Sequence, residues 1–156
     1  MPTAPDREWF DQPDLAPKER GLHFQCTLCG NCCTGPEGYV LFTPEEGEAL
    51  AKRLGMSYKA FHRDYTHDTS YGRSLNEVKT KAGLDCVFLD RKKFPGKAVC
   101  GVYEDRPAQC RTWPFWPSVV KTESTWNRAS RSCPGIDKGP LYPPKHIRLT
   151  RDRVDI

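Results

Sequence analysis

A chain of 156 residues with 24 Lys and Arg against 20 Asp and Glu carries a formal net charge of +4, its two signs interleaved along the sequence. That balance gives no reason to expect nucleic acid, and no run approaches the roughly 18 apolar residues of a membrane span. Only 37% of the residues are hydrophobic and the mean hydropathy is -0.70, so a thin core is expected, with the eight cysteines supplying help through disulfides or a metal.

The first stretch, MPTAPDREWFDQPDLAPKERG, is rich in proline and charge and lacks the apolar segment of a signal peptide. It reads as an extended arm over residues 1–20, with Trp9 and Phe10 docking onto the body. The expected location is cytoplasmic and reducing, where structural disulfides are disfavoured. A cysteine cluster follows at residues 26–33, and then YVLFT at 39–43 predicts a short strand. A helix should begin after Thr43, with Thr43 as cap, Pro44 at the first helical position and Glu46 completing a capping box. Leu50 and Leu54 share one face, and Gly55 ends the helix. A second helix starts near Ser57, its stripe made by Tyr58, Phe61 and Tyr65.

Past residue 73 the pattern becomes strand-like. SLNEVKTKAG, CVFLD and KAVCGVY predict three short strands, the last two joined through RKKFPG with Pro95-Gly96 as the turn. DRPAQCRTWPFWP predicts one helical turn capped by Asp105 and stopped by Pro114 and Pro117. STWNRASRSCPG reads as a short helix or an irregular segment, and the basic stretch KHIRLTRDR as a solvated tail. The expected fold class is α+β: a small, loop-rich, metal-stabilised domain over 21–140, with short antiparallel strands and a tail over 141–156.

Cys26, Cys29, Cys32 and Cys33 occupy eight positions. Two cysteines separated by two residues can place both sulfurs on one metal, and Gly30, directly after Cys29, suits the tight turn because it tolerates positive φ. The even C-x2-C-x2-C spacing is also how bacterial ferredoxins hold three corners of a [4Fe-4S] cluster, although their fourth cysteine follows much sooner than Cys133 does here. Cys33 does not fit that run. With Cys86, Cys100 and Cys110 it makes a second group of four, so one or two centres are open. Disulfides, or buried thiols packing as small hydrophobes, are the bland alternatives. His23 lies close enough in sequence to be a ligand or to support one, whereas His62 and His67 fall on different faces of a helix. Arg106 and Arg111 flank Cys110 and can offset thiolate charge or clamp an anionic cofactor; Arg111 can also stack on Trp113 or Trp116.

The blocks FQCTLCGNCC, CVFLD, CGVYEDRPAQCRTWPF and CPG together resemble the CxxCxxCC cysteine-cluster family, also called YkgJ-type, over about Phe24 to Gly135. All eight cysteines, Cys26, Cys29, Cys32, Cys33, Cys86, Cys100, Cys110 and Cys133, fall on that pattern, as do Arg106, Pro107, Arg111, Pro114 and Phe115. The resemblance implies a domain that chelates zinc or iron. It is distantly similar to the cysteine-rich domain of flagellin lysine methylases. Two functions from different classes are therefore expected: a metal-binding module with no chemistry of its own, or an iron–sulfur enzyme or subunit related to protein lysine methylation. A metal or cluster is the expected partner, and a protein partner is left open.

Overall fold

The computed structural model describes residues 7–35 and 37–154. In chain order the regular elements are β1 (Leu22–Phe24), α1 (Pro44–Arg53), α2 (Tyr58–Tyr65), β2 (Thr66–Thr69), β3 (Gly72–Leu75), β4 (Glu77–Thr80) and β5 (Gly83–Cys86). They continue with β6 (Leu89–Asp90), β7 (Val99–Cys100), α3 (Ala108–Thr112), α4 (Pro117–Val120), α5 (Glu123–Ser130), β8 (Ile136–Tyr142) and α6 (Pro144–Arg151). Every sheet is a single antiparallel pair: β1 with β8, β2 with β3, β4 with β5, and β6 with β7. The fold is α+β.

The chain divides into two compact units, residues 28–111 forming one and residues 1–27 with 112–156 the other. The arm and tail expected at the two ends both belong to the discontinuous unit; residues 1–6 lie outside the described residues.

The discontinuous unit is organised by aromatic packing. Phe10, Leu22, Phe115, Val119, Val120, Trp126, Ile136 and Ile147 make its core, with Trp9, Trp113 and Trp116 packed at the edges. Phe115 stacks on Trp126 at 6.0 Å between ring centres. Trp9 and Phe10 dock as expected: Phe10 is fully buried, and the Trp9 indole N–H donates to Val120 O at 2.7 Å. Residues 144–151, by contrast, are no solvated tail. Lone apolar positions in a basic stretch give no visible stripe, yet Ile147 is fully buried in this core. The basic side chains are also engaged, since Arg148 grips Asp11 at 2.5 Å and Arg151 pairs with Glu8.

In the continuous unit both predicted helices form, the first with its predicted cap. Thr43 Oγ1 accepts from Glu46 N at 3.2 Å while Glu46 Oε2 accepts from Thr43 N at 2.9 Å. Ser57 caps α2 by accepting from Ala60 N. Leu50, Ala51, Phe61, Leu75, Phe88 and Val102 are buried together, and Tyr65 stacks on both Phe61 and Phe88. The strand expected at 39–43 reduces to one bridge between Leu41 and Ser74, because Val40 N is taken by the Ser74 hydroxyl and Leu41 N by Gln109. The single strand expected at 74–83 is broken: residues 72–75 close the hairpin with β2, and 77–80 pair with β5 instead.

Candidate metal centre

The 26–33 motif turns as its glycine requires. Gly30 has φ +78°, and a Cβ there would come within 2.5 Å of the Ala98 Cβ. Only a residue without a side chain fits that approach. The turn aims an amide at a sulfur, with Asn31 N donating to Cys29 Sγ at 3.4 Å. It ends in a 3-10 turn over Asn31–Cys33, closed by Cys33 N donating to Gly30 O. Backbone bonds hold the segment on both sides. Ala98 N donates to Leu28 O at 2.8 Å, tying it to the approach of β7, and Leu84 N donates to Gly35 O at 2.8 Å, tying it to β5.

Those two attachments bring Cys32 and Cys33 to the strands that carry the other thiols. Cys86 closes β5 opposite Glu77, and Cys100 closes β7 opposite Leu89. Cys110 rides on α3, which is fixed to the rest of the unit through its side chains and its start. Ala108 N donates to Glu46 Oε1 at 3.0 Å, and the Gln109 amide bridges Tyr39 O and Leu41 N. Glu46 therefore serves twice, as a helix cap and as the seat of α3.

The five thiols are electrostatic neighbours. Cys32 and Cys33 have their sulfurs 3.7 Å apart. The hydrogen bond between the two sulfurs holds the Cys32 thiol below its usual value and pushes the Cys33 thiol up. Cys33 is raised further by burial and by the charges of Cys32, Cys110 and Cys86. Burial pushes Cys110 up to about 12, with Cys86, Cys100 and Cys32 adding to the rise. Burial likewise raises Cys86 to about 11, and raises Cys100. Several negative sulfurs so close together disfavour one another, which is the situation a bound cation reverses.

Two arginines face this group. Arg106 acts electrostatically on Cys32, Cys100 and Cys110. Its guanidinium lies 3.8 Å over the Tyr103 ring, and its Nε is buried without a hydrogen-bond acceptor. Arg111 bonds to nearby backbone carbonyls. Its guanidinium donates to Arg106 O at 2.6 Å and Glu104 O at 3.3 Å, bracing the turn that presents Arg106. Arg91 is a cation that sequence reasoning missed. It grips the buried Asp85 with two bonds of 2.7 and 3.0 Å and is near enough to Cys33 to feel its charge. The usable signal was an acidic residue directly before Cys86, with an arginine in the loop that follows.

Cys26 and Cys133 belong to the discontinuous unit, where Cys133 is buried in the aromatic core. The His23 ring is engaged with Gly139 O at 2.8 Å, and that of His67 with Asn76 Oδ1 at 2.9 Å. The His62 ring tilts against Tyr58. No disulfide joins any of the cysteines. Among the described residues, no group of three or more Cys, His, Asp or Glu side chains is arranged to hold a metal ion as it stands.

The family model described as "CxxCxxCC: Putative zinc- or iron-chelating domain" matches residues 25–134. The chain belongs to the CxxCxxCC family. No solved structure matches it. The residues present fit what the family description implies. An all-sulfur neighbourhood suits zinc or iron rather than magnesium or calcium, and a buried guanidinium nitrogen without an acceptor suits an anionic thiolate centre. Among the described residues no helix is long and apolar enough to cross a membrane.

Proposed function

We propose that this CxxCxxCC protein is a cytoplasmic metal-binding protein in which Cys32, Cys33, Cys86, Cys100 and Cys110 supply the ligands of a zinc or [4Fe-4S] centre. The observation that carries the reading is the mutual nearness of these five thiols, three of which, Cys32, Cys100 and Cys110, also feel Arg106, whose buried Nε has no acceptor of its own. A bound zinc would act as a structural cross-link between β5, β7, α3 and the 26–33 motif; a cluster would add redox chemistry. Cys29 joins the ligand set on the strength of its amide-bonded sulfur. Cys26 and Cys133 are metal-ligand candidates on motif spacing alone, as the first cysteine of the C-x2-C-x2-C-C run and the cysteine of Cys-Pro-Gly. Arg106 supplies compensating charge, and Arg111 holds Arg106 in place. Anaerobic purification followed by elemental analysis and a visible spectrum tests the reading. Tightly held zinc in a colourless protein, or iron with sulfide and absorbance near about 400 nm, supports it. A chain that retains neither metal after anaerobic reconstitution overturns it.

A further inference from the structure

Cys32 and Cys33 are set apart within the thiol group. They are consecutive residues with sulfurs 3.7 Å apart, whereas Cys86, Cys100 and Cys110 each come from a separate element. As residues, Cys32 is exposed and Cys33 half-buried, so the pair lies at the outer edge of the thiol group. The segment that carries them is held by backbone bonds at Leu28 and at Gly35, so a change between the two side chains need not disturb the strands. Loss of this pair would withdraw two of the five gathered sulfurs and leave Cys86, Cys100 and Cys110.

We propose that Cys32 and Cys33 form a hydroperoxide-responsive dithiol, and that its closure to a vicinal disulfide withdraws two sulfurs from the centre and releases the metal. This rests on the metal-binding reading above. The Cys32 sulfur, as thiolate, attacks one oxygen of hydrogen peroxide. The O–O bond breaks, Cys32 becomes the sulfenic acid, and the departing hydroxide takes a proton to leave as water. The Cys33 sulfur then attacks the Cys32 sulfur, forming the S–S bond and breaking the S–OH bond, with a second water leaving. Overall two thiols and one peroxide give one disulfide and two waters, with two electrons passing from the sulfurs to the peroxide. The sulfurs must approach by under about 2 Å to reach bonding distance. Their Cα atoms, about 3.8 Å apart across one peptide, lie closer than disulfides ordinarily span, so the product should be readily reduced again.

The test uses the full chain loaded with zinc under anaerobic conditions and then given one equivalent of hydrogen peroxide. Zinc release is followed with a chromogenic chelator, and the bond is located by intact mass and tandem mass spectrometry. The expected result is a mass loss of about 2 Da mapped to Cys32 and Cys33, in step with zinc release, both reversed by a phosphine reductant. The metal-free chain should show the same mass loss. Cys110→Ser, which leaves the pair intact, should keep it, and Cys32→Ser, checked for folding by circular dichroism, should lose it. A disulfide joining any other pair, arrest of Cys32 at the sulfinic acid, or zinc release without the 32–33 bond overturns the proposal. If the chain holds no metal at all, the metal reading fails, while the metal-free mass measurement still decides whether the dithiol exists.

Discussion

Two of the ionic side chains described here make opposite demands on their surroundings. The Arg106 Nε is buried with no acceptor, an arrangement a neutral apolar pocket would penalise and a thiolate centre would reward. Replacing Arg106 with Gln removes the charge while keeping much of the bulk. Metal affinity, measured by competition with a chelator of known strength, should fall about 10-fold or more. Asp11 is the contrary case, because its partner is already in place. Burial tends to raise its carboxyl, but hydrogen bonds from Arg148 and the Glu8 amide outweigh that and hold it below the usual carboxylate range. A folded-state pKa below the unfolded one gives stability that is present above the unfolded value and lost as the pH falls through the folded one. Asp11→Asn should therefore lower the melting temperature near about pH 7, by the equivalent of about 1 kcal/mol, and make little difference near about pH 2. Melting curves of both proteins across that range check the sign. Of these two residues Arg106 was legible in the sequence, because it stands beside Cys110 in a motif. The Asp11–Arg148 contact was not, since 137 positions separate the partners and charged residues are common throughout the chain.

Among the elements, the 26–33 turn and the β6–β7 hairpin depend on one another through Gly30. Gly30→Ala would force a side chain to within 2.5 Å of the Ala98 Cβ in a backbone conformation L-residues avoid. A cost of about 2–4 kcal/mol is expected, combining backbone strain with overpacking. The variant should bind metal more weakly than Gly96→Ala, because Gly96 also has positive φ but nothing within 4 Å of its Cβ position. Comparing metal retention of the two variants separates loss of the close approach from a generic glycine penalty. The glycine itself was readable from C-x2-C-G, as were the capping box at Thr43 and the helices at 43–65, because their signals are local. The hairpins were only partly readable. Whether residues 74–80 run as one strand or break at Asn76 depends on where distant amides go: Leu75 N donates to Val40 O and Asn76 N to Tyr65 O. The pairing of β1 with β8 was not readable at all, because seven residues with a glycine and a proline in their middle do not resemble a strand until a partner is supplied.

For the whole molecule, the division into two units tells where metal should matter. The five gathered thiols all belong to residues 28–111, while the discontinuous unit closes an aromatic core of its own. Stripping the metal should therefore lower the stability of the continuous unit, because a ligand bound only to the native state raises its stability by mass action. All four tryptophans, Trp9, Trp113, Trp116 and Trp126, lie in the discontinuous unit, whereas five of the six tyrosines, Tyr39, Tyr58, Tyr65, Tyr71 and Tyr103, lie in the continuous one. The protein thus carries two separate optical reporters. Tyrosine near-ultraviolet circular dichroism, arising largely from the stacked Phe61, Tyr65 and Phe88 and from Tyr103 against Arg106, reads the metal-bearing part. Indole emission from the four tryptophans, Trp126 among them fully buried, reads the other. On adding chelator the tyrosine signal should collapse at a lower temperature than before while the emission maximum stays blue-shifted. Simultaneous loss of both signals would show that the metal holds the aromatic core as well.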